Sequence, residues 1–398
     1  MKIVDLKCGR IGNNLIVRIA TDEGLSGFSA IENYKPYLKW HVLHYRDHIL
    51  DQDPTNVERV MLRIRHMGAF KPWGSAVSAI EMALWDVAGK AAGLPVYKLL
   101  GGKVRDRVRV YNGAIRFPMA SDEPEDLAEN MKKMKTLPEG FTLIKQGLAF
   151  HSSMARTVDN FFYGEPAGER RHGTRERGML TERGFKHVLE CVTAMKEVLG
   201  DEVGLALDCG PGWSVQDAIR FARAVEPLNL TWLEDLITGD YTPYVDADLY
   251  GEVTRSTSTP IHTGEQIYLA RNFKSLIESR AVDVIGPDPC DIGGIAELKR
   301  VAEYADLHGI FIAPHGTGDG MLGLAALVQV CATLPENLIA FEYPIGDPPW
   351  WYDIVEGYER PIVDHGFIEV PDRPGMGIEI RPELARAYLS EEDSDFFD

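Results

Sequence analysis

The sequence predicts an α/β protein built around a (β/α)8-type barrel, a modified TIM barrel, with a smaller α+β region ahead of it. From about residue 108, short apolar runs alternate with amphipathic segments, a pattern that is typical of parallel βαβ units. Eight such runs fall within roughly 240 residues, which is the expected size of a (β/α)8 barrel. No G-x-G-x-x-G motif follows the first run, which disfavours a doubly wound dinucleotide-binding fold.

The region before the barrel divides into strands and then helices. Residues 1–30 contain short apolar runs separated by glycine-containing turns, and they predict a β-meander. Residues 35–100 predict helices, of which the clearest spans 75–92 with a broad apolar face. The stretch Gly93-Leu94-Pro95 ends that helix, because neither glycine nor proline favours its continuation.

The barrel strands are predicted where apolar runs are bounded by turn residues. Their ranges are 108–115, 142–147, 204–210, 231–235, 260–265, 283–288, 310–316 and 338–344. The connection over residues 148–180 is far longer than the usual βα loop of about 2–6 residues, so it predicts a lid, a binding loop or disorder. After residue 355 we expect loops, a short strand at 366–370 and a frayed acidic tail.

Composition narrows the function classes. A formal charge of −18 argues against nucleic acid or an anionic membrane as a general partner. The five cysteines form no C-x-x-C pair, which favours free thiols in a reducing compartment. The first residues form no long apolar segment, and no run approaches about 18 uninterrupted apolar residues. We therefore expect a cytoplasmic protein.

Ionisable residues end six of the predicted strands. They are Asp208, Glu234, Glu265, Asp288, His315 and Glu342. Strand ends of a barrel converge on one mouth, where such enzymes place their chemistry. Asp208, Glu234 and Glu265 follow three consecutive strands, and an all-oxygen cluster of this kind suits Mg²⁺. The alternative is that one or two of these acids only pair with arginines.

Asp288 and His315 end adjacent predicted strands, which makes a carboxylate–imidazole hydrogen bond reasonable. The carboxylate would fix the tautomer of the histidine and raise its basicity, as a general base requires. The alternative for His315 is a structural histidine. Glu342, on the last strand, is predicted either to bind substrate as a protonated acid or to cap the barrel mouth.

Taken together, these motifs resemble the enolase superfamily, in its mandelate racemase-like branch of acid-sugar dehydratase type, over nearly the whole chain. The resemblance rests on the strand-end acids, PDPCDIGG with Asp288, APHG with His315, FEYP with Glu342, the segment SAIEMALWDVAGKAAGLPVYKLLGG and the C-terminal PDRPGMGIEI. It implies a capping domain over 1–107, a barrel with a metal site over 108–354, and a segment over 355–398 that packs back on the cap. It also implies one Mg²⁺, abstraction of a proton alpha to a carboxylate, and a homo-oligomer.

One departure from the family concerns the second base. The second strand of that family often ends Lys-x-Lys; here it reads Lys145-Gln146-Gly147. The resemblance assigns Lys145 to the substrate carboxylate, whereas Gly147 stands where a second base would be. Gly210 likewise stands where some dehydratases carry a second histidine. A replacement group could come from the long loop, with Tyr163, His151 and His172 as candidates.

The substrate contacts are predicted less directly. The segments 31–34, with Tyr34, and 65–73 occupy places where cap loops of the family meet substrate, and their mixture of polar and aromatic residues suits a polyhydroxylated acid. The alternative is that their aromatic residues only pack the cap on the barrel. The arginines of residues 156–177 could bind a second carboxylate, although a solvated surface is the plainer interpretation.

The sequence thus predicts a Mg²⁺-dependent lyase that dehydrates a sugar acid, an aldonate or aldarate, to a 2-keto-3-deoxy acid. Asp208, Glu234 and Glu265 would bind the metal, and His315 with Asp288 would be the base. Lys145 and Glu342, with Tyr34 and Tyr163, would meet the substrate. Two alternatives are a racemase, epimerase or cycloisomerase that uses a base from the long loop, and a non-catalytic sugar-acid-binding paralogue.

Overall fold

The computed structural model describes residues 1–33, 35–66, 74–165, 177–237, 245–316, 320–343 and 350–398. The N-terminal region begins with an antiparallel sheet made of strands β1 (Ile3–Ile11), β2 (Asn14–Thr21) and β3 (Ser26–Ile31). Its helices are α1 (Lys39–His44), α2 (Arg46–Ile49), α3 (Val57–His66), α4 (Ser75–Ala92) and α5 (Val96–Leu99). The predicted meander and the predicted helix over 75–92 are both confirmed.

Helix α4 connects the N-terminal region to the rest of the molecule. Gly93, in the left-handed conformation with φ 65°, ends the helix. Within it, the buried Glu81 carboxylate accepts the backbone N–H groups of Ile295 and Ala296 at 2.9 and 3.0 Å. One turn on, Asp86 accepts those of Phe28 and Met376 at 3.0 and 2.9 Å. Two buried carboxylates of one helix thereby satisfy backbone groups from three distant parts of the chain.

Eight parallel strands among the described residues form the barrel. They are β4 (Arg107–Asn112), β5 (Leu143–Gly147), β6 (Gly204–Asp208), β7 (Trp232–Glu234), β8 (Ile261–Thr263), β9 (Val284–Ile285), β10 (Phe311–Ile312) and β11 (Phe341–Tyr343). They pair in chain order, and β11 pairs with β4. A parallel bridge between Ile312 and Leu338 closes the remaining gap between β10 and the segment that leads into β11. All eight predicted strands are present, and the barrel prediction is confirmed.

Helices follow most of the barrel strands. They are α6 (Pro124–Lys135), α7 (Met154–Thr157), α8 (Glu182–Leu199), α9 (Val215–Ala224), α10 (Ala247–Thr254), α11 (Lys274–Glu278), α12 (Ile295–Leu307) and α13 (Gly320–Cys331). No helix in the described ranges combines the length and apolarity needed to cross a membrane. All five cysteines are buried and free, as predicted.

The barrel interior is filled by side chains at alternate strand positions. One buried cluster contains Tyr111, Leu143, Ala206, Trp232, Val284, Ala313 and Ala340. Because successive side chains of a strand point to opposite faces, the residue two positions further on faces the same interior, one layer nearer the carboxyl end. Lys145, Asp208, Glu234, His315 and Glu342 each stand two positions beyond a member of this cluster.

The C-terminal segment runs back over the N-terminal region. Its elements are α14 (Trp351–Ile354), β12 (Val355–Glu356), β13 (Phe367–Glu369), β14 (Glu379–Ile380) and α15 (Pro382–Ala385). The prediction of a frayed tail is wrong. Phe396 is only 2% exposed and packs on Gly9, while Asp393 pairs with Lys39 and accepts the Arg10 N–H at 2.8 Å. The acidity of the tail suggested fraying, but the buried ring and these ion pairs hold it in place.

Candidate active site

Lys145 lies at the centre of the barrel mouth. Its Nζ is 2.7 Å from Glu234 Oε1, 3.1 Å from Glu342 Oε2 and 3.9 Å from Asp208 Oδ2, and its side chain is 4% exposed. Burial acts to lower the pKa of this ammonium, but Glu234 and Glu342 raise the pKa well above its usual value. Lys145 is therefore a fixed cation in this arrangement.

Glu234 is held through both of its carboxylate oxygens. Oε1 accepts from Lys145, and Oε2 accepts from Trp232 Nε1 at 2.8 Å. His262 stacks on Trp232 with 5.1 Å between ring centroids, and its Nδ1 is 3.4 Å from Glu234 Oε2. Burial opposes ionisation, yet Lys145 lowers the pKa of Glu234 to about 2. Sequence reasoning missed Trp232, although its position two residues before Glu234 places both on the interior face.

His315 and Asp288 form the predicted pair. His315 Nδ1 is 2.6 Å from Asp288 Oδ2, and Asp288 Oδ1 accepts the Cys290 N–H at 2.6 Å. The hydrogen bond assigns the proton of a neutral imidazole to Nδ1 and leaves Nε2 as the acceptor. Nε2 faces the mouth, 3.2 Å from Glu265 Oε2 and 3.5 Å from Glu342 Oε2. Burial opposes protonation, but the carboxylates, with Glu265 first, raise the pKa of His315 well above its usual value.

Glu342 bridges the two halves of the site. Its Oε2 lies near Lys145 Nζ, near His315 Nε2 and 3.4 Å from the Tyr111 hydroxyl, which donates to it. A side chain on Gly113 would collide with Glu342, because a Cβ there would lie 1.7 Å from Oε1. Tyr111 lies on the first barrel strand, and Gly113 follows that strand directly. The sequence analysis, which considered residues at strand ends, identified neither as a site residue.

The carboxylates of the mouth provide oxygen donors for a metal ion. Lys145 contributes one positive charge against the four carboxylates of Asp208, Glu234, Glu265 and Glu342. A divalent cation would offset this excess negative charge, and carboxylate oxygens are donors that Mg²⁺ accepts. The residues present thus fit a hard divalent ion.

The tightest group of potential ligands in the described chain is a different one. Carboxylate oxygens of Glu32 and Asp288 and a ring nitrogen of His315 lie within 4.8 Å of one another. The three predicted ligands are less closely gathered, since the Lys145 ammonium bonds to Glu234 and lies between that carboxylate and Asp208. Asp208 and Glu234 thus lie beside Lys145, and Glu265 lies beside His315, at the same mouth.

A buried ion cluster from the N-terminal region lies behind the His315–Asp288 pair. Lys35 Nζ pairs with Glu32 and is 2.8 Å from both carboxylate oxygens of Asp291, and Ser75 Oγ also donates to Asp291. Asp291 is three residues from Asp288, and its N–H donates to the Asp288 carbonyl at 3.0 Å. Sequence reasoning missed this cluster because 256 residues separate Lys35 from Asp291.

Some predicted contacts are not placed at the mouth. Tyr34, residues 67–73 and His172 lie outside the described residues. Tyr163 is 72% exposed, and its backbone N–H donates to the Met179 carbonyl, so its predicted substrate contact stays a prediction. The described part of the long loop is packed rather than open. Phe150, Phe161 and Phe162 contact one another, and Phe150 also contacts Trp213 edge to face.

Comparison with known proteins identifies the class. Residues 135–384 match the enolase C-terminal domain-like family, and residues 12–101 match the mandelate racemase/muconate lactonizing enzyme N-terminal domain. The chain belongs to the enolase superfamily, in its mandelate racemase-like branch. Members of this superfamily typically bind a divalent metal ion.

Individual relatives cover almost the full chain. A D-xylonate dehydratase of Haloferax volcanii is 30% identical over 99% of this chain and 90% of its own length. A D-galactonate dehydratase of Variovorax paradoxus is 28% identical over 96% and 93%. The crystal structure of a mandelate racemase/muconate lactonizing enzyme-like protein from Rubrobacter xylanophilus superimposes with a TM-score of 0.82 at 31% identity, covering 98% of each chain.

Proposed function

We propose that this protein is a Mg²⁺-dependent hydro-lyase that converts a sugar acid, an aldonate or aldarate, to a 2-keto-3-deoxy acid. One observation carries the proposal. The Nε2 atom of His315, an oriented base, lies across the mouth from the Lys145 ammonium, and Glu342 lies between the two. The dehydratase names of two full-length relatives support the reaction class.

Lys145 binds the substrate carboxylate in this proposal. Its ammonium stays charged because Glu234 and Glu342 stabilise it, and a fixed cation suits an anionic group of the substrate. Asp208, Glu234 and Glu265 would hold Mg²⁺. When bound, the metal ion would stabilise the negative charge that develops on the substrate carboxylate.

His315 moves the proton. The base is the neutral form of His315, which a divalent ion held by Glu265 would favour, because Glu265 is the first of the carboxylates that raise the pKa of this ring. Nε2 of the neutral ring takes the α-proton, and the C–H electron pair enters an enediolate whose charge Lys145 helps to stabilise. As the β-hydroxyl leaves, those electrons form the Cα=Cβ bond, and the imidazolium returns its proton to the hydroxyl, which departs as water. The resulting enol tautomerises to the 2-keto-3-deoxy acid. Asp288 keeps the ring oriented throughout by accepting from Nδ1.

The glycines at 147 and 210 favour elimination over racemisation. Inversion at one carbon requires an acid or base on each face, whereas elimination can use His315 for both proton transfers. Neither glycine supplies a side chain at the end of the second or third strand. A one-base elimination is the reaction that this pair of strands fits best.

The test is a panel of aldonates and aldarates incubated with Mg²⁺ and assayed for 2-keto acid. We expect His315→Asn to lose about 10²- to 10⁴-fold in kcat on the acid that the parent dehydrates, because a positioned general base contributes about that much. His365→Asn is the matched control, since that ring is 88% exposed at the surface. Full activity of His315→Asn would contradict the assigned base.

The same assay in D2O separates dehydration from racemisation. Recovered substrate that is inverted and carries α-deuterium, without formation of keto acid, would show a racemase or epimerase instead. Calorimetric binding of an acid sugar without any turnover would show a non-catalytic binding protein.

A further inference from the structure

Two strand ends at the mouth lack side chains, and His151 lies against both, with its ring beside Gly147 and its Cβ and backbone beside Gly210. A Cβ on Gly147 would be 3.0 Å from His151 Cδ2, and a Cβ on Gly210 would be 2.8 Å from His151 Cβ. Cβ atoms in proteins essentially never come as close as 2.8 Å to another heavy atom. The space that side chains at 147 and 210 would use is therefore already filled by His151.

The backbone around His151 is anchored in the core. Residues Ala149–His151 form a 3-10 turn directly after β5, and the Leu148 N–H donates to the Asp208 carbonyl at 2.8 Å. Phe150 is buried among the aromatic residues of the long loop. The position of His151 is thus set by both β5 and β6, and not by a loose loop.

The ring of His151 lies beside a predicted metal ligand and remains accessible. Its Nδ1 is 3.2 Å from Asp208 Oδ1, while 34% of the side chain is exposed. In an eight-stranded barrel, the second and third strands stand across from the sixth and seventh. The second and third strands are β5 and β6, which contact His151. The sixth and seventh are β9 and β10, which are followed by Asp288 and His315. His151 therefore faces His315 across the mouth.

We propose that His151 contacts the sugar acid on the face opposite His315, with its imidazole hydrogen-bonded to a substrate hydroxyl. This inference rests on the proposed dehydratase function and adds a specificity-determining residue to it. This contact is a hydrogen bond and not a proton transfer, so both proton transfers of the elimination stay with His315. It also explains the two glycines, because a side chain on Gly147 would press on the ring and one on Gly210 would press on the Cβ and backbone of His151.

The first test compares His151→Ala and His151→Asn with the parent on the acid sugar that it dehydrates, at saturating Mg²⁺. We expect His151→Ala to lose about 10- to 100-fold in kcat/KM, because the substrate hydroxyl loses its hydrogen-bond partner. Asn keeps a side-chain donor and should recover part of that loss. His365→Ala, at the exposed surface, should match the parent. Unchanged kcat/KM in a folded His151→Ala would overturn the proposal.

The second test uses Gly147→Ala alone and combined with His151→Ala. In the parent, the new methyl group competes with His151, so kcat/KM should fall. In the His151→Ala background the nearest atom, Cδ2, is absent and only the carbonyl oxygen of residue 151 remains close, at 3.2 Å. The same substitution should therefore cost less, which gives a non-additive double-mutant cycle. Equal effects of Gly147→Ala in both backgrounds would contradict the shared space.

Two further measurements keep the outcomes separate. Mg²⁺ affinity of His151→Ala, measured by calorimetry without substrate, should equal that of the parent; a large loss there would assign His151 to the metal and overturn the substrate contact. If the parent turns over no acid sugar, the proposed function fails. His151 is then judged by calorimetric affinity for the acid sugar that binds, which should fall about 10-fold or more in His151→Ala.

Discussion

At the scale of single residues, the mouth depends on buried charges that are stabilised by one another. Lys145 is surrounded by carboxylates, and Glu234 has its two oxygens bound by Lys145 and Trp232. Removing one partner of a buried pair leaves the other uncompensated, which costs more than the pair itself contributes. The charges of this site are therefore interdependent, and single substitutions affect stability as well as activity.

Glu32 gives a pH-dependent contribution to stability. Burial, reinforced by the charge of Asp291, raises the pKa of Glu32 to about 8. The pKa of a hydrated glutamate is about 4.3. Folding therefore takes up a proton between these values, and the free energy of unfolding falls as the pH rises through this range. Glu32→Gln cannot ionise, so we expect it to lose less stability than the parent between pH 5 and pH 8.

Urea unfolding of the parent and of Glu32→Gln, each at pH 5 and at pH 8, measures how much stability each protein loses as the pH rises. Glu369→Gln is the control, because that carboxylate is 78% exposed. A parallel decline of the parent and Glu32→Gln would show that Glu32 ionises alike in the folded and unfolded chains.

At the scale of elements, the segment after β3 meets the loop after β9 through Lys35 and Asp291. The ammonium is buried and bonds to both oxygens of Asp291, which is part of the loop that begins at Asp288. The N-terminal region thereby fixes the loop that carries the partner of His315. The N-terminal region and the barrel are thus joined at the site by a buried ion pair.

Lys35→Met tests this junction against a matched lysine. We expect a loss of roughly 3 kcal/mol in the free energy of unfolding, because the Asp291 carboxylate loses its buried cation, together with reduced kcat/KM. Lys39→Met removes the more exposed pair with Asp393, remote from the dyad, and should destabilise the protein less while leaving kcat/KM unchanged. Equal kinetics for Lys35→Met and the parent would contradict a role in orienting the loop.

At the scale of the whole molecule, the C-terminal tail packs against the N-terminal sheet. Phe396 fills a space over Gly9 that a larger residue there would occupy. We expect Phe396→Ala to cost about 3 kcal/mol, as for other buried aromatic truncations. Leu307→Ala, at a position 81% exposed, is the control for loss of a large apolar side chain. Thermal unfolding measures both, and a Phe396→Ala variant as stable as Leu307→Ala would indicate a detachable tail.

The barrel and its strand-end residues could be predicted because both follow from local periodicity. Alternate positions of each strand carry interior residues, so Asp208, Glu234, His315 and Glu342 could be assigned to one mouth before any contact was known. Contacts between distant segments have no such local signal. Three such contacts depend on tertiary structure. They are the ion pair of Lys35 with Asp291, the packing of Phe396 on Gly9, and the packing of His151 on Gly147 and Gly210.

The first barrel strand has an implication for synthesis of the chain. It pairs with β11 through Val110–Asn112 and with β13 through Arg107–Arg109. Both partners lie more than 220 residues after β4 in the chain. A nascent chain on the ribosome therefore leaves these backbone groups of β4 unpaired until residue 369 has emerged, and unpaired strands invite intermolecular pairing. Translation that stalls or stops before residue 369 should thus favour aggregation over folding.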